Sequence, residues 1–189
     1  IGAGIMLASR RPLSDYGFRR PTHLPATWWA APLLVAPVAV IAISGFEPKP
    51  GLLVPYLALT LAVGFNEEIW FRGLALAAVR RKAVKPAIAA ASLLFGVLHL
   101  ANALAGKPGL YLILQLGFAT LVGLVLAELV AITGSLWIPI AWHFVYDFFS
   151  FNSGPALDAR ALLASSVISV VLLAYAVVLW RRLPAGPHD

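Results

Sequence analysis

Six side chains in this sequence have the types and spacing needed to activate water. Glu67, Glu68 and Arg72 fall within Asn66-Glu67-Glu68-Ile69-Trp70-Phe71-Arg72-Gly73, His99 follows Leu98, and His143 and Asp147 stand four residues apart. A carboxylate can take a proton from water, and an imidazole can give or take one near neutral pH, so the set makes acid–base catalysis available. On a helix Glu68 and Arg72 are i,i+4 neighbours and can form an ion pair, whereas Glu67 is turned ~100° away and is free to face something else. The competing reading is that both glutamates share Arg72 and only tie helices together. His99, taken alone, reads as readily as a hydrogen-bonded packing histidine. His143 and Asp147 share one helix face, which suits a ligand pair, a histidine whose tautomer its partner fixes, or a buried pair that adds only specificity.

These groups sit in apolar sequence, and that sets their worth. The chain has 189 residues, of which 61% are hydrophobic and 12% charged. A soluble domain carries about 25% charged residues, so this chain has too few to cover a water-facing surface. The composition predicts an all-α fold: a polytopic membrane bundle of about six transmembrane helices, with the lipid bilayer as its main partner. A charge near the bilayer centre costs at least ~2.5 kcal/mol, so three within six residues imply partners and function. There is no cysteine, hence no disulfide, thiolate ligand or cysteine nucleophile. The net charge of +6 comes from basic residues beside hydrophobic segments, which fits membrane topology rather than nucleic-acid binding.

The elements that position the six follow from punctuation. Ile1 to Leu7 reads as the end of an upstream helix or as a short interfacial segment. Residues 1–27 form a basic membrane-surface segment, with Arg10, Arg11, Arg19 and Arg20 around Pro12 to Pro21 and an interfacial Trp28-Trp29 just after it. A bundle over 28–182 then holds spans at about 28–43, kinked by Pro32 and Pro37, and at 52–81, 87–105, 110–132, 136–151 (kinked at Pro139) and 161–180. A polar tail covers 183–189. The second span is ~45 Å long by helix rise, so its basic end, Arg80 to Lys82, should stand in water. The excess of Lys and Arg on one side predicts that both ends are cytoplasmic.

Depth ties the six together. Glu67 lies 13 residues before Arg80 and His99 14 residues after Lys85, matching heights in an antiparallel hairpin, and Gly96 would let another helix come close to His99. His143 lies only ~12 Å along its helix from Ser135, while Glu67 is ~20 Å from Arg80, so the third stretch fits less simply. No H-E-x-x-H helix and no G-x-S-x-G elbow occurs, which excludes the common zinc-protease and serine-hydrolase arrangements. What remains is water activated by a carboxylate, with or without a metal.

The order Glu67-Glu68 with Arg72, Phe95 with His99, and His143 with Asp147 resembles the CAAX-protease and bacteriocin-processing (CPBP, or Abi) family of intramembrane proteases. Trp70-Phe71-Arg72-Gly73, Ser92 to His99 and Thr133-Gly134-Ser135-Leu136-Trp137 extend the likeness, which covers roughly 53–151. The resemblance implies an endopeptidase acting on a peptide or lipidated-protein substrate in a membrane, such as that of a bacterial cell. In it Glu67 and His99 would activate the water, and His143 with Asp147 would stabilise the oxyanion or complete the site. Metal-free and metal-assisted chemistry both stay open. In the second, Glu67, His99 and His143 could hold a divalent ion such as zinc. Asp147 stands where eukaryotic members tend to have Asn, and an ionised aspartate cannot donate to an oxyanion. Two other readings use the same polar pocket: an ion- or proton-coupled transporter, and a non-catalytic scaffold or immunity protein.

Overall fold

The computed structural model describes residues 1–21, 24–79 and 83–183. Among the described residues the fold has seven helices and a short 3₁₀ turn over Leu13–Tyr16, and no strand. Helix α1 is Gly2–Ala8. Helix α2 is a continuous run in three windings: 3₁₀ over Leu24–Leu34, α over Val35–Ala39 and π over Val40–Ser44. Helix α3 is α over Pro50–Glu68, π over Ile69–Ala75 and α over Leu76–Val79. Helix α4 is α over Val84–Leu98 and 3₁₀ over His99–Ala105. Helices α5, Gly109–Thr133, α6, Trp137–Phe151, and α7, Ala159–Trp180, are regular.

Four of these, over Pro50–Ala78, Val84–Ala105, Gly109–Thr133 and Ala159–Trp180, are long and apolar enough to cross a membrane. Helices α2 and α6 are apolar but shorter. Large apolar side chains cover the outside: Val54, Leu93, Ile113 and Val170 are all more than half exposed. Such a surface is stable in lipid and not in water, and the chain is an integral membrane protein.

Helix α5 is the central post. It packs on α4 along one face and on α7 along another, and α3 packs on α6. Val125, Leu126 and Leu129 of α5 meet Leu33, Trp142, Ile168 and Leu172 in the larger core cluster. Close approach of α4 and α5 depends on small residues. A Cβ on Gly96 would overlap Thr120 Oγ1 and Leu116 O, and one on Gly123 would lie 3.1 Å from Ser92 Cα. Packing over small residues brings backbones together where burial from water supplies no drive.

Local winding departs from the sequence reading around Pro32 and Pro37 and in the second and third spans. The segment around Pro32 and Pro37 is not a kinked α-helix: it changes winding twice instead, which absorbs two residues without N–H donors. Pro139 lies in the first turn of α6, where the amides need no intrahelical partner. The second and third spans are not uniformly α-helical, and both change winding beside a charged or imidazole side chain: to π after Glu68 and to 3₁₀ at His99. Arg80, Arg81 and Lys82, expected to protrude, lie outside the described residues, as does the tail beyond Leu183.

Helix α1 sits against the π segment of α3. Its Met6 is buried, and a Cβ on Gly2 would meet Ile69 and Trp70. The stretch that follows docks on the α5–α6 connection: Gly17 O accepts from Leu136 N at 2.8 Å, and Arg19 Nε donates to Gly134 O at 2.9 Å. Gly17, at φ 95°, makes this turn in a conformation that a side chain disfavours.

Candidate active site

Glycine decides how close the acids come to the histidine. Gly64 of α3 lies under α6: a Cβ there would be 3.1 Å from Phe144 N and 3.4 Å from His143 Cβ. Glu68 is one turn further along the same face. The approach at Gly64 therefore carries Glu68 directly to His143, and the height mismatch inferred from span lengths disappears because α3 is long enough to pass α6 well inside its own length.

Glu68 is fully buried and serves two partners through one oxygen. Its Oε1 accepts from Arg72 Nη1 at 2.8 Å and from His143 Nδ1 at 2.9 Å. Arg72, also buried, lays its guanidinium over the Phe95 ring, 4.3 Å from the centroid. A buried cation needs a charge partner and gains from an aromatic face, and Arg72 has both. The consequence for His143 is orientation. With Nδ1–H donated to Glu68, Nε2 points the other way, as in histidines whose tautomer is set by a carboxylate.

Two more carboxylates wait there. Glu67 Oε2 is 3.6 Å and Asp147 Oδ2 3.5 Å from His143 Nε2. Both distances exceed a direct hydrogen bond. Both contacts are favourable only with a proton on Nε2 or on one of the acids. The Glu67 side chain is 28% exposed, against 0% for Glu68. The adjacent glutamates thus have different surroundings: Glu68 is locked in the interior, and the Glu67 side chain is partly exposed. Glu67 Oε2 has no hydrogen-bond partner among the described residues.

His99 approaches from α4. Its Nδ1 lies 2.8 Å from Phe95 O and donates to it, leaving Nε2 as the acceptor nitrogen of the neutral ring. The Phe95 ring stands edge-on between the imidazoles, with centroids 4.6 Å from His99 and 6.0 Å from His143. His99 bonds to backbone rather than to an acid, but it lies within electrostatic reach of Asp147, as do Glu67 and Glu68. Acids and imidazoles from α3, α4 and α6 therefore converge on one region, His143 at its centre and His99 at its edge.

Among the described residues no group of three His, Cys, Asp or Glu side chains has the arrangement of a metal site. Trp142 and Tyr146, which flank His143 and Asp147 in sequence and were expected to line a pocket, stack on each other at 5.1 Å. Sequence reasoning missed Tyr111, which lies within electrostatic reach of Asp147 and had no signal in its spacing.

Fold and site together define a class: an all-helical membrane protein with a buried acid–imidazole centre shared by three helices. The family model for type II CAAX prenyl endopeptidase Rce1-like proteins matches residues 49–149, which contain all six side chains and more than half of the chain. The chain belongs to this family of intramembrane proteases. No curated protein and no solved structure matches it.

Proposed function

We propose that this protein is an intramembrane endopeptidase that hydrolyses a peptide bond of a membrane-associated, lipidated substrate with water activated by Glu67. The observation that carries the reading is the asymmetry of the two glutamates. Glu68 is fully buried and its Oε1 is taken by Arg72 and by His143 Nδ1, while Glu67, partly exposed and outside that ion pair, holds Oε2 beside His143 Nε2.

Glu67, with His99 Nε2 as a second acceptor, takes a proton from water as the oxygen attacks the carbonyl carbon. The carbonyl becomes an oxyanion, which needs a donor. His143 Nε2–H supplies it when protonated, and Asp147 holds that proton by its charge. The proton gained by Glu67 passes to the leaving nitrogen as the C–N bond breaks. Asp147 thereby acts on the site through His143 and needs no donor of its own. Each of these steps runs through the chain's own residues. With the basic flanks on the cytoplasmic face, both ends of the chain lie in the cytoplasm.

The test is cleavage of farnesylated and unmodified CAAX-type peptides by purified protein in liposomes. Glu67→Gln should lower the rate at least ~100-fold with unchanged thermal unfolding, and chelator should leave the wild type active. Full activity in Glu67→Gln refutes the assignment. Activity lost to chelator and restored by zinc replaces the metal-free step. A biological effect that survives Glu67→Gln with no cleavage at all points to a scaffold instead.

A further inference from the structure

The change of winding at His99 has a geometric result. In a 3₁₀ helix residues i and i+3 eclipse, so within His99–Ala105 the side chain of Asn102 lies directly in line with His99, ~6 Å along the axis at 2.0 Å per residue. An α-helix would have offset the two by ~60° on a shared face. Asn102 Nδ2 donates to Gln115 Oε1 of α5 at 2.8 Å. Gln115 shares a face of α5 with Tyr111 and Phe118, at i−4 and i+3. Both of these meet α6: Phe118 lies 5.7 Å from the Tyr146 ring, and Tyr111 is within electrostatic reach of Asp147. The amide pair therefore continues the wall of the site from His99 across to α5.

One amide–amide hydrogen bond uses one donor and one acceptor. Whichever way the two amides are turned, one carbonyl and one NH₂ are left over. Both residues are half-buried, on helices whose neighbouring Leu98, Leu104, Ile113 and Leu114 are exposed and apolar, as a lipid-facing surface requires. Polar groups in such surroundings are costly unless something pairs with them. An extended peptide offers the matching need, since its N–H and C=O also lose water on entering a membrane.

We infer that Asn102 and Gln115 form a docking site for the main chain of the substrate, accepting from one N–H and donating to one C=O. The inference rests on the peptidase reading above. At ~3.3 Å per extended residue, ~6 Å from His99 sets the docked residue about two positions from the bond that is cut.

The probe is an internally quenched farnesylated CAAX-type peptide, with a matched set in which one backbone N–H at a time is replaced by an ester oxygen. In the wild type the ester two positions from the cleaved bond should lower kcat/KM about 5- to 10-fold. Asn102→Leu and Gln115→Met should lower kcat/KM on the all-amide peptide by a similar factor and lose sensitivity to that ester alone. A purely structural role would lower activity without changing the ester profile, so an unchanged profile in both variants overturns the inference and leaves Glu67 as base untouched. If the wild type cuts none of the peptides, the peptidase reading fails separately. Anisotropy binding of the same peptides, fluorophore-labelled, to the Glu67→Gln protein then decides the docking site, and equal affinity for amide and ester peptides at every position overturns it.

Discussion

Glu68 offers the most severe test of the electrostatic argument. Glu68→Ala leaves the Arg72 guanidinium buried, with Phe95 against it but no counter-charge. Breaking a buried pair in this way costs ~3–5 kcal/mol. For a chain of this size ~1 kcal/mol moves Tm by roughly 2–4 °C, so the variant should melt roughly 6–20 °C below the wild type. Arg72→Met in the same chain removes the stranded cation. What then remains is chiefly the unmet His143 Nδ1–H, worth ~1–3 kcal/mol. The double variant should therefore be more stable than Glu68→Ala alone. Tryptophan fluorescence in detergent follows both, because the buried Trp142 indole donates to Leu33 O at 2.8 Å and reports on α2–α6 packing. Cleavage should be lost in single and double variants alike, since His143 has lost its fixed orientation in each. A double variant no more stable than Glu68→Ala refutes the claim that Arg72 is held by Glu68 rather than by its aromatic contact.

Two further outcomes follow from packing. Gly64→Ala places a methyl 3.1 Å from a backbone nitrogen of α6, which cannot yield as a side chain can. It should cost ~1–3 kcal/mol and reduce cleavage, while Gly117→Ala, with nothing within 4 Å of its Cβ, should gain up to ~1 kcal/mol. Glu128 is fully buried in α5, and neither carboxylate oxygen has a hydrogen-bond partner among the described residues. Glu128→Leu should raise Tm at unchanged cleavage, because an apolar side chain of similar size suits that place better, and a lower Tm would show a partner for the acid.

Periodicity and composition carry the helical membrane fold because lipid leaves a chain of this hydrophobicity few alternatives. Turn signals such as Lys107-Pro108-Gly109 mark helix ends, since proline and glycine act locally. Winding was not legible. Whether Ile69–Ala75 takes π or α geometry depends on what Gly73 and Trp70 pack against, which is tertiary information. For the site, spacing tells that Glu68 and Arg72 share a face, and likewise His143 and Asp147. It does not tell that one oxygen of Glu68 serves both Arg72 and His143, because that contact depends on Gly64 and on the register of α3 against α6. The place of His99 behind Phe95, and the part of Asn102, had the same obstacle: both depend on a local tightening that no residue pattern announces.

Helix α6, with 15 residues, rises only ~22 Å, about 8 Å less than the hydrocarbon slab. It carries His143 and Asp147 and adjoins α2. On this flank a bilayer of ordinary depth has no apolar match, and the mismatch is relieved by pinching the lipid or by headgroups sinking toward the helix ends. Membrane thickness is thus a control on the reaction: in thinner bilayers water has a shorter way to Glu67, and lipids with longer tails should slow cleavage without touching a single side chain.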